Sequence, residues 1–86
     1  MSIVFSRNWG VLMSSFALRL KEARKFYNVT QKQVAEGTKM AESAYQRYEH
    51  GKVQPTINSL IKFCRYFNVS ADYLIGLSDE PTANRK

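Results

Sequence analysis

The sequence predicts an all-α fold, a compact five-helix bundle, on three observations. Apolar residues from Phe16 onward recur at helical spacing. Capping and stop residues cut that pattern into five short runs joined by connections of a few residues. No run of useful length alternates apolar with polar residues, as a half-buried strand would. The chain has 86 residues, which is one small domain.

The first helix is expected from Ser14 or Ser15, either of which can cap it. Phe16, Leu20, Ala23 and Tyr27 share one face, and Asn28 suits the left-handed stop. Thr30 with Gln33 three residues later forms a capping box for a second helix, whose apolar pair is Val34 and Ala35. Gly37 ends it, and Thr38, Lys39 and Met40 form the turn, with Met40 pointing inward. A third helix is expected over 41–50. Ala44, Tyr45 and Tyr48 lie on one face, with Glu42, Ser43, Gln46 and Arg47 largely on the other. Gln54 before Pro55 is extended. Thr56 caps the fourth helix, whose buried face reads as Ile57, Leu60, Ile61, Cys64 and Phe67, with Phe63 at its border. Asn68 stops it, and Ser70 caps a last short helix through Leu74 and Ile75.

These limits divide the chain into three parts. Residues 1–13 read as an N-terminal extension, either disordered or a cloning remnant, with Met13 offering an alternative start. Residues 14–77 form the domain, and 78–86 a disordered polar tail. Trp9, in the extension, either packs on the domain or is exposed.

Thirteen Lys and Arg stand against seven Asp and Glu, a net charge of +6 and a pI near 9.7. Ten of the basic and four of the acidic residues lie within 14–69, so the excess belongs to the domain body. Most such charges are ordinary solvated helix faces, yet the sum favours an anionic partner. A chain this size buries only about 60–65% of its unfolded surface, too little for most substrate-enclosing scaffolds. Cys64 is the sole cysteine, which excludes an intrachain disulfide and a cysteine-based zinc site. A lone thiol fits a reducing cytoplasm, and its place on an apolar stripe reads as core. No run approaches the ~18 apolar residues of a membrane span. No cofactor, metal cluster or small-molecule substrate is legible.

Two short helices joined by a tight turn, the second with a polar outer face, form a helix-turn-helix pattern. The second must enter a major groove roughly 12 Å wide. The first crosses the DNA backbone. Around these helices stand Arg19 and Leu20, Arg24, Thr30 and Gln31, Val34 and Ala35, and Tyr45. Arg47, Tyr48 and Glu49 follow, then Gly51 and Lys52, Pro55 and Thr56, Leu60, and Asn68, Val69 and Ser70. In this set, over about 16–75, the chain resembles the Cro/phage-repressor (XRE-like) helix-turn-helix family. The spacing matches without gaps until the loop after Gly51. The resemblance implies a lambda-repressor-like DNA-binding domain and a role for each matching residue. Gln31 takes the phosphate-clamping glutamine position. Glu42, Ser43 and Arg47 fall on base-reading positions, with Gln46 beside them. His50 and Lys52 fall where phosphate is touched after the recognition helix. Arg24 and Glu49 match a partly buried ion pair, which also suits two charges set among apolar neighbours. Two departures stand out. Lys39 occupies the turn position that is usually glycine, and Ala41 replaces the usual Ser or Thr cap, forfeiting roughly 1 kcal/mol.

Each assignment competes with a plainer one. Arg47 suits a bidentate guanine contact, or a surface pair with Glu42. Glu42 can accept from a cytosine amino group, or simply favour the positive end of its helix. Gln31 can serve only as a cap. His50 can cap the helix end, and catalysis by it would need a partner within reach. Tyr45 and Tyr48 could offer stacking platforms for single strands, but their inner-face spacing reads as core.

The expected function is a sequence-specific double-stranded DNA-binding transcriptional regulator, a repressor of phage or mobile-element type and not an enzyme. It would work as a homodimer on two half-sites of an operator, with Tyr73, Leu74, Ile75 and Leu77 as the candidate dimer surface, which could equally just close the core. The cytoplasm, on the nucleoid, is its expected place. The alternative is an antitoxin that autoregulates its operon. A nucleic-acid enzyme would need paired carboxylates or a metal cluster, which the sequence lacks.

Overall fold

The computed structural model describes residues 9–81, with side-chain surroundings from Ser15 to Pro81. Five helices follow in order: α1 (Trp9–Phe26), α2 (Gln31–Gly37), α3 (Glu42–Glu49), α4 (Ile57–Phe67) and α5 (Ala71–Leu74). No strand occurs among the described residues. α1 packs against α3, α4 and α5, while α2 packs against α3.

Local chemistry explains most boundaries. Thr30 Oγ1 accepts from Gln33 N at 3.0 Å, and the Gln33 side chain accepts from Thr30 N at 2.8 Å, closing the capping box. Thr56 and Ser70 each accept from the amide three residues on. Asn28 and Asn68 sit at φ 57° and 55°, the left-handed region that asparagine tolerates. Lys39 also lies there, at φ 58°, where the resemblance implies glycine.

The expected start of α1 needs correction. The helix begins at Trp9, so Ser14 and Ser15 lie inside it rather than capping it. Extending a formed helix toward its N-terminus needs no new nucleus, and no proline interrupts residues 9–15. The rest of the expected extension, residues 1–8, lies outside the described residues, as do the Trp9 side chain and residues 82–86 of the tail.

The tail boundary shifts as well. Residues 78–81 fold back on the domain. Arg19 donates to Ser78 O at 2.8 Å and pairs with Asp79 at 2.9 Å, while Ser70 N donates to Pro81 O at 2.8 Å. Arg19 also lies 4.4 Å from the centre of the Tyr73 ring.

The core joins Phe16, Leu20 and Ala23 of α1, Val34 and Ala35 of α2, Tyr45 of α3, Phe63 and Phe67 of α4, and Leu74 of α5. Phe63, expected at a border, is the hub. It is fully buried, with ring centres of Phe16, Tyr45 and Tyr48 at 6.1, 5.8 and 5.3 Å. Full burial of such a side chain contributes about 1.5–3 kcal/mol. Ile57 and Ile61, expected inside, are exposed. The six apolar positions of α4 span about 160° of its circumference at 3.6 residues per turn. Sequence spacing does not say which part of so wide an arc faces inward. The aromatic partners on α1 and α3 settle it in favour of Phe63. Tyr27 is likewise past the end of α1 and half exposed, stacked on Phe67 at 6.1 Å.

Gly37 has a role beyond ending α2. A Cβ there would fall 2.3 Å from a Tyr66 ring carbon, so only glycine lets the α4 ring lie against α2.

Candidate functional site

α2 and α3 meet through a turn whose residues satisfy one another. Thr38 is buried and donates to Val34 O at 2.7 Å. Met40 N donates to Ala35 O at 2.9 Å, and the Met40 side chain packs on the core. α3 then starts at Ala41, which makes no side-chain cap. What orients α3 is its inner face. Tyr45 is wholly buried, Tyr48 partly so, and the Tyr48 hydroxyl shares a hydrogen bond with Ser59 of α4 at 3.1 Å.

Glu49, at the end of α3, is the electrostatic anchor. Its side chain is 2% exposed, and it accepts four hydrogen bonds. Arg24 Nε lies 2.5 Å from Oε2 and Arg24 Nη2 lies 3.3 Å from Oε1. The Tyr45 hydroxyl donates to Oε2 at 2.5 Å, and Gln31 Nε2 donates to Oε1 at 3.1 Å. Burial pushes the Glu49 pKa up, but the donors from Arg24, Tyr45 and Gln31 outweigh it and hold the carboxyl below its ordinary value. The hydrogen bond to Glu49 in turn raises the Arg24 pKa, and burial foremost raises that of Tyr45. Arg24 also donates to Val29 O at 3.1 Å, which ties α1 to the start of the α2 connection. A buried charge without such partners would cost several kcal/mol.

The opposite face of α3 differs in kind. Glu42, Ser43 and Arg47 are exposed, and Gln46 is half-buried at their flank. The side chains of Glu42, Ser43 and Arg47 make no hydrogen bond or ion pair among the described residues, so the plainer pairing of Arg47 with Glu42 is not formed. Four outer positions therefore stand on a helix whose inner side is tightly held. His50 and Lys52 are exposed just beyond it, and Gly51 between them turns the chain at φ 72°. Lys21, Lys25 and Lys32 join His50 around a polar cleft between α1, α2 and the end of α3. The two α1 lysines in that cleft carry no signal in the sequence, because only the packing of α1 brings them beside α2.

Gln31 is placed differently from a plain cap. Its amide nitrogen faces Glu49, and its carbonyl Oε1 accepts from Gln46 Nε2 at 3.1 Å. It thus links the buried anchor to the outer face. No local pattern announces a bond between residues 31 and 46.

The four candidate dimer residues separate. Leu74 is completely buried in the core and is removed from that surface, because the last helix closes the bundle with it. Tyr73 and Ile75 are partly buried, and Leu77 is 67% exposed. Ile75 and Leu77 line an apolar groove with Leu18, Pro55 and Leu60. Cys64 is half-buried on α4, and burial pushes its thiol pKa up, which disfavours the reactive thiolate. No cluster of potential metal ligands exists among the described residues.

Comparison with known proteins agrees with this geometry. A family model described as helix-turn-helix matches residues 20–74. An uncharacterized HTH-type transcriptional regulator of Bacillus subtilis, YobD, is 36% identical over 66 residues, covering 77% of this chain and 59% of the relative. The HTH-type transcriptional regulator ImmR of the same organism is 36% identical over 70 residues, covering 81% and 55%. The cryptic phage CTXphi transcriptional repressor RstR of Vibrio cholerae is 36% identical over 58 residues, covering 67% and 52%. The chain spans just over half the length of these relatives. No solved structure matches it significantly.

Proposed function

The chain belongs to the helix-turn-helix family, and on that premise we propose that it is a sequence-specific, double-stranded DNA-binding transcriptional regulator, a repressor of phage or mobile-element type. One observation carries the reading: Glu42, Ser43 and Arg47 are exposed and unpaired on α3, with Gln46 held by Gln31 at their flank, mounted on a buried and fully hydrogen-bonded anchor. Such a face can form base contacts without first breaking internal ones. Arg47 reads guanine through its two-pronged guanidinium, Glu42 accepts from a cytosine amino group, and Ser43 and Gln46 complete the patch. Gln31, His50 and Lys52 contact phosphate. Gln31 keeps one amide hydrogen for that purpose after serving Glu49. Repression proceeds by occluding a promoter, which needs no catalytic step.

A single module of this size supports limited affinity, so we read the active form as a homodimer on two half-sites. Tyr73, Ile75 and Leu77 remain its candidate surface, and the domain runs from α1 to Pro81. The cytoplasm is its place of action. No described helix is long and apolar enough to cross a membrane. The antitoxin alternative calls for a tail that captures a partner, whereas residues 78–81 dock on this chain's own α1 and α5.

The test separates base contacts from phosphate contacts. Arg47→Ala removes discrimination of about 1–3 kcal/mol at one base pair of a selected operator. Lys52→Ala weakens every duplex alike and lowers the salt slope by about 1. If both variants weaken all duplexes equally, α3 does not read sequence.

A further inference from the structure

The hydrogen bonds around Glu49 have a direction. An ionised carboxylate only accepts, so the Gln31 amide must turn its nitrogen toward Glu49. That leaves Gln31 Oε1 facing outward, where it accepts from Gln46 Nε2. A flip of either amide would set oxygen against oxygen. The order therefore passes from a side chain that is 2% exposed to one that flanks the exposed face of α3. Gln46 then has one of its two amide hydrogens committed and keeps one hydrogen and its carbonyl oxygen.

That remainder is selective. Adenine offers N7 as acceptor and N6 as donor in the major groove, matching one hydrogen and one oxygen. Guanine offers two acceptors, N7 and O6. An unrestrained glutamine can present both hydrogens to guanine, whereas Gln46 held by Gln31 cannot. We propose that Glu49, acting through Gln31, is a positioning residue that holds the Gln46 amide in the one orientation that reads adenine and rejects guanine. The inference rests on the DNA-binding reading above and adds the base and the relay to it.

The experiment measures binding of the full chain to duplexes carrying all four base pairs at each position of a selected operator. The wild type prefers adenine over guanine at one position by about tenfold. Gln46→Ala abolishes that preference. Gln31→Met, close in shape but unable to relay the bond, reduces the same ratio severalfold and leaves the ratios at other positions unchanged. Loss of the phosphate contact of Gln31 adds a uniform weakening of all duplexes, which by itself does not move the ratio. Uniform weakening by Gln31→Met with the ratio intact overturns the relay, as does a Gln46→Ala variant with every ratio preserved. The side-chain amide resonances of Gln46 in the free protein supply a second readout. They shift in Gln31→Met if the bond exists, and identical resonances overturn it. A wild type that selects no duplex defeats the DNA-binding reading and the adenine assignment together. A wild type that selects duplexes but fails the Gln31→Met test defeats the relay alone.

Discussion

α2 starts at a complete capping box, Thr30 with Gln33, whereas α3 starts at Ala41, whose side chain caps nothing. The two helices have seven and eight residues, too few for either to persist alone in water. α2 is secured at its entrance by neighbours within three residues in sequence. α3 is secured by Tyr45 and Glu49, which reach partners on α1, α2 and α4. α3 is thus held from behind and from its far end. This arrangement leaves Glu42, Ser43 and Arg47 free of structural contacts, with Gln46 bonded to Gln31 beside them, and it makes α3 depend on tertiary contacts where α2 depends on local ones.

The strongest way to break this contrast is Glu49→Ala. It strands Arg24 and the Tyr45 hydroxyl in a buried site and should cost about 3–5 kcal/mol in urea unfolding. A loss below about 1 kcal/mol, the ordinary value of an exposed pair, would show that α3 is not anchored there.

The pH dependence sharpens the same point from both sides. The folded carboxyl of Glu49 titrates below its ordinary value of 4.5. Its contribution is therefore complete above pH 4.5 and is lost as pH falls toward the depressed folded value, because the unfolded chain takes up the proton first. Tyr45 shifts upward from 10.0. Its contribution is complete below pH 10 and falls above it, because the unfolded phenol ionises first. Urea titrations across both ranges check the two limbs. A Tyr45→Phe variant should lose the alkaline limb and keep a smaller acid one, because Arg24 and Gln31 still donate to Glu49.

Smaller effects belong to the caps. Thr30→Ala removes the capping box and should cost about 1 kcal/mol. Amide exchange should show the effect in the first turn of α2 and leave α3 unchanged. Ala41→Ser supplies the missing cap and should add about 0.5–1 kcal/mol, measured as a rise in melting temperature. If Ala41→Ser adds nothing, the start of α3 is already satisfied by tertiary structure.

Much of this is legible in the sequence. The class, the five helices and the caps at Thr30, Thr56 and Ser70 follow from interactions within four residues. The outer face of α3 follows from helical spacing and from the family resemblance. The misplacements share a cause. Ile57 and Ile61 read as inward because an apolar arc does not reveal its centre, and Phe63 holds that centre through rings on other helices. Leu74 reads as either dimer surface or core closure, because neighbouring apolar residues look unpartnered until the bundle closes on one of them. The folding back of residues 78–81 depends on Arg19, about sixty positions earlier.

By itself, then, the sequence determined where most helices begin, which of them form the helix-turn-helix and which side chains lie on the outer face of α3. Capping, periodicity and turn residues act over a few positions, and such short-range forces can be read along a chain. Only the tertiary structure decided which apolar residues of α4 are core, which further donors join the Arg24–Glu49 pair and which way the amides of Gln31 and Gln46 point. The core depends on the rings of Phe16, Tyr45 and Tyr48 about Phe63, and the amide orientations on the buried carboxylate of Glu49 with its partners from α1, α2 and α3; both sets meet only when the helices pack.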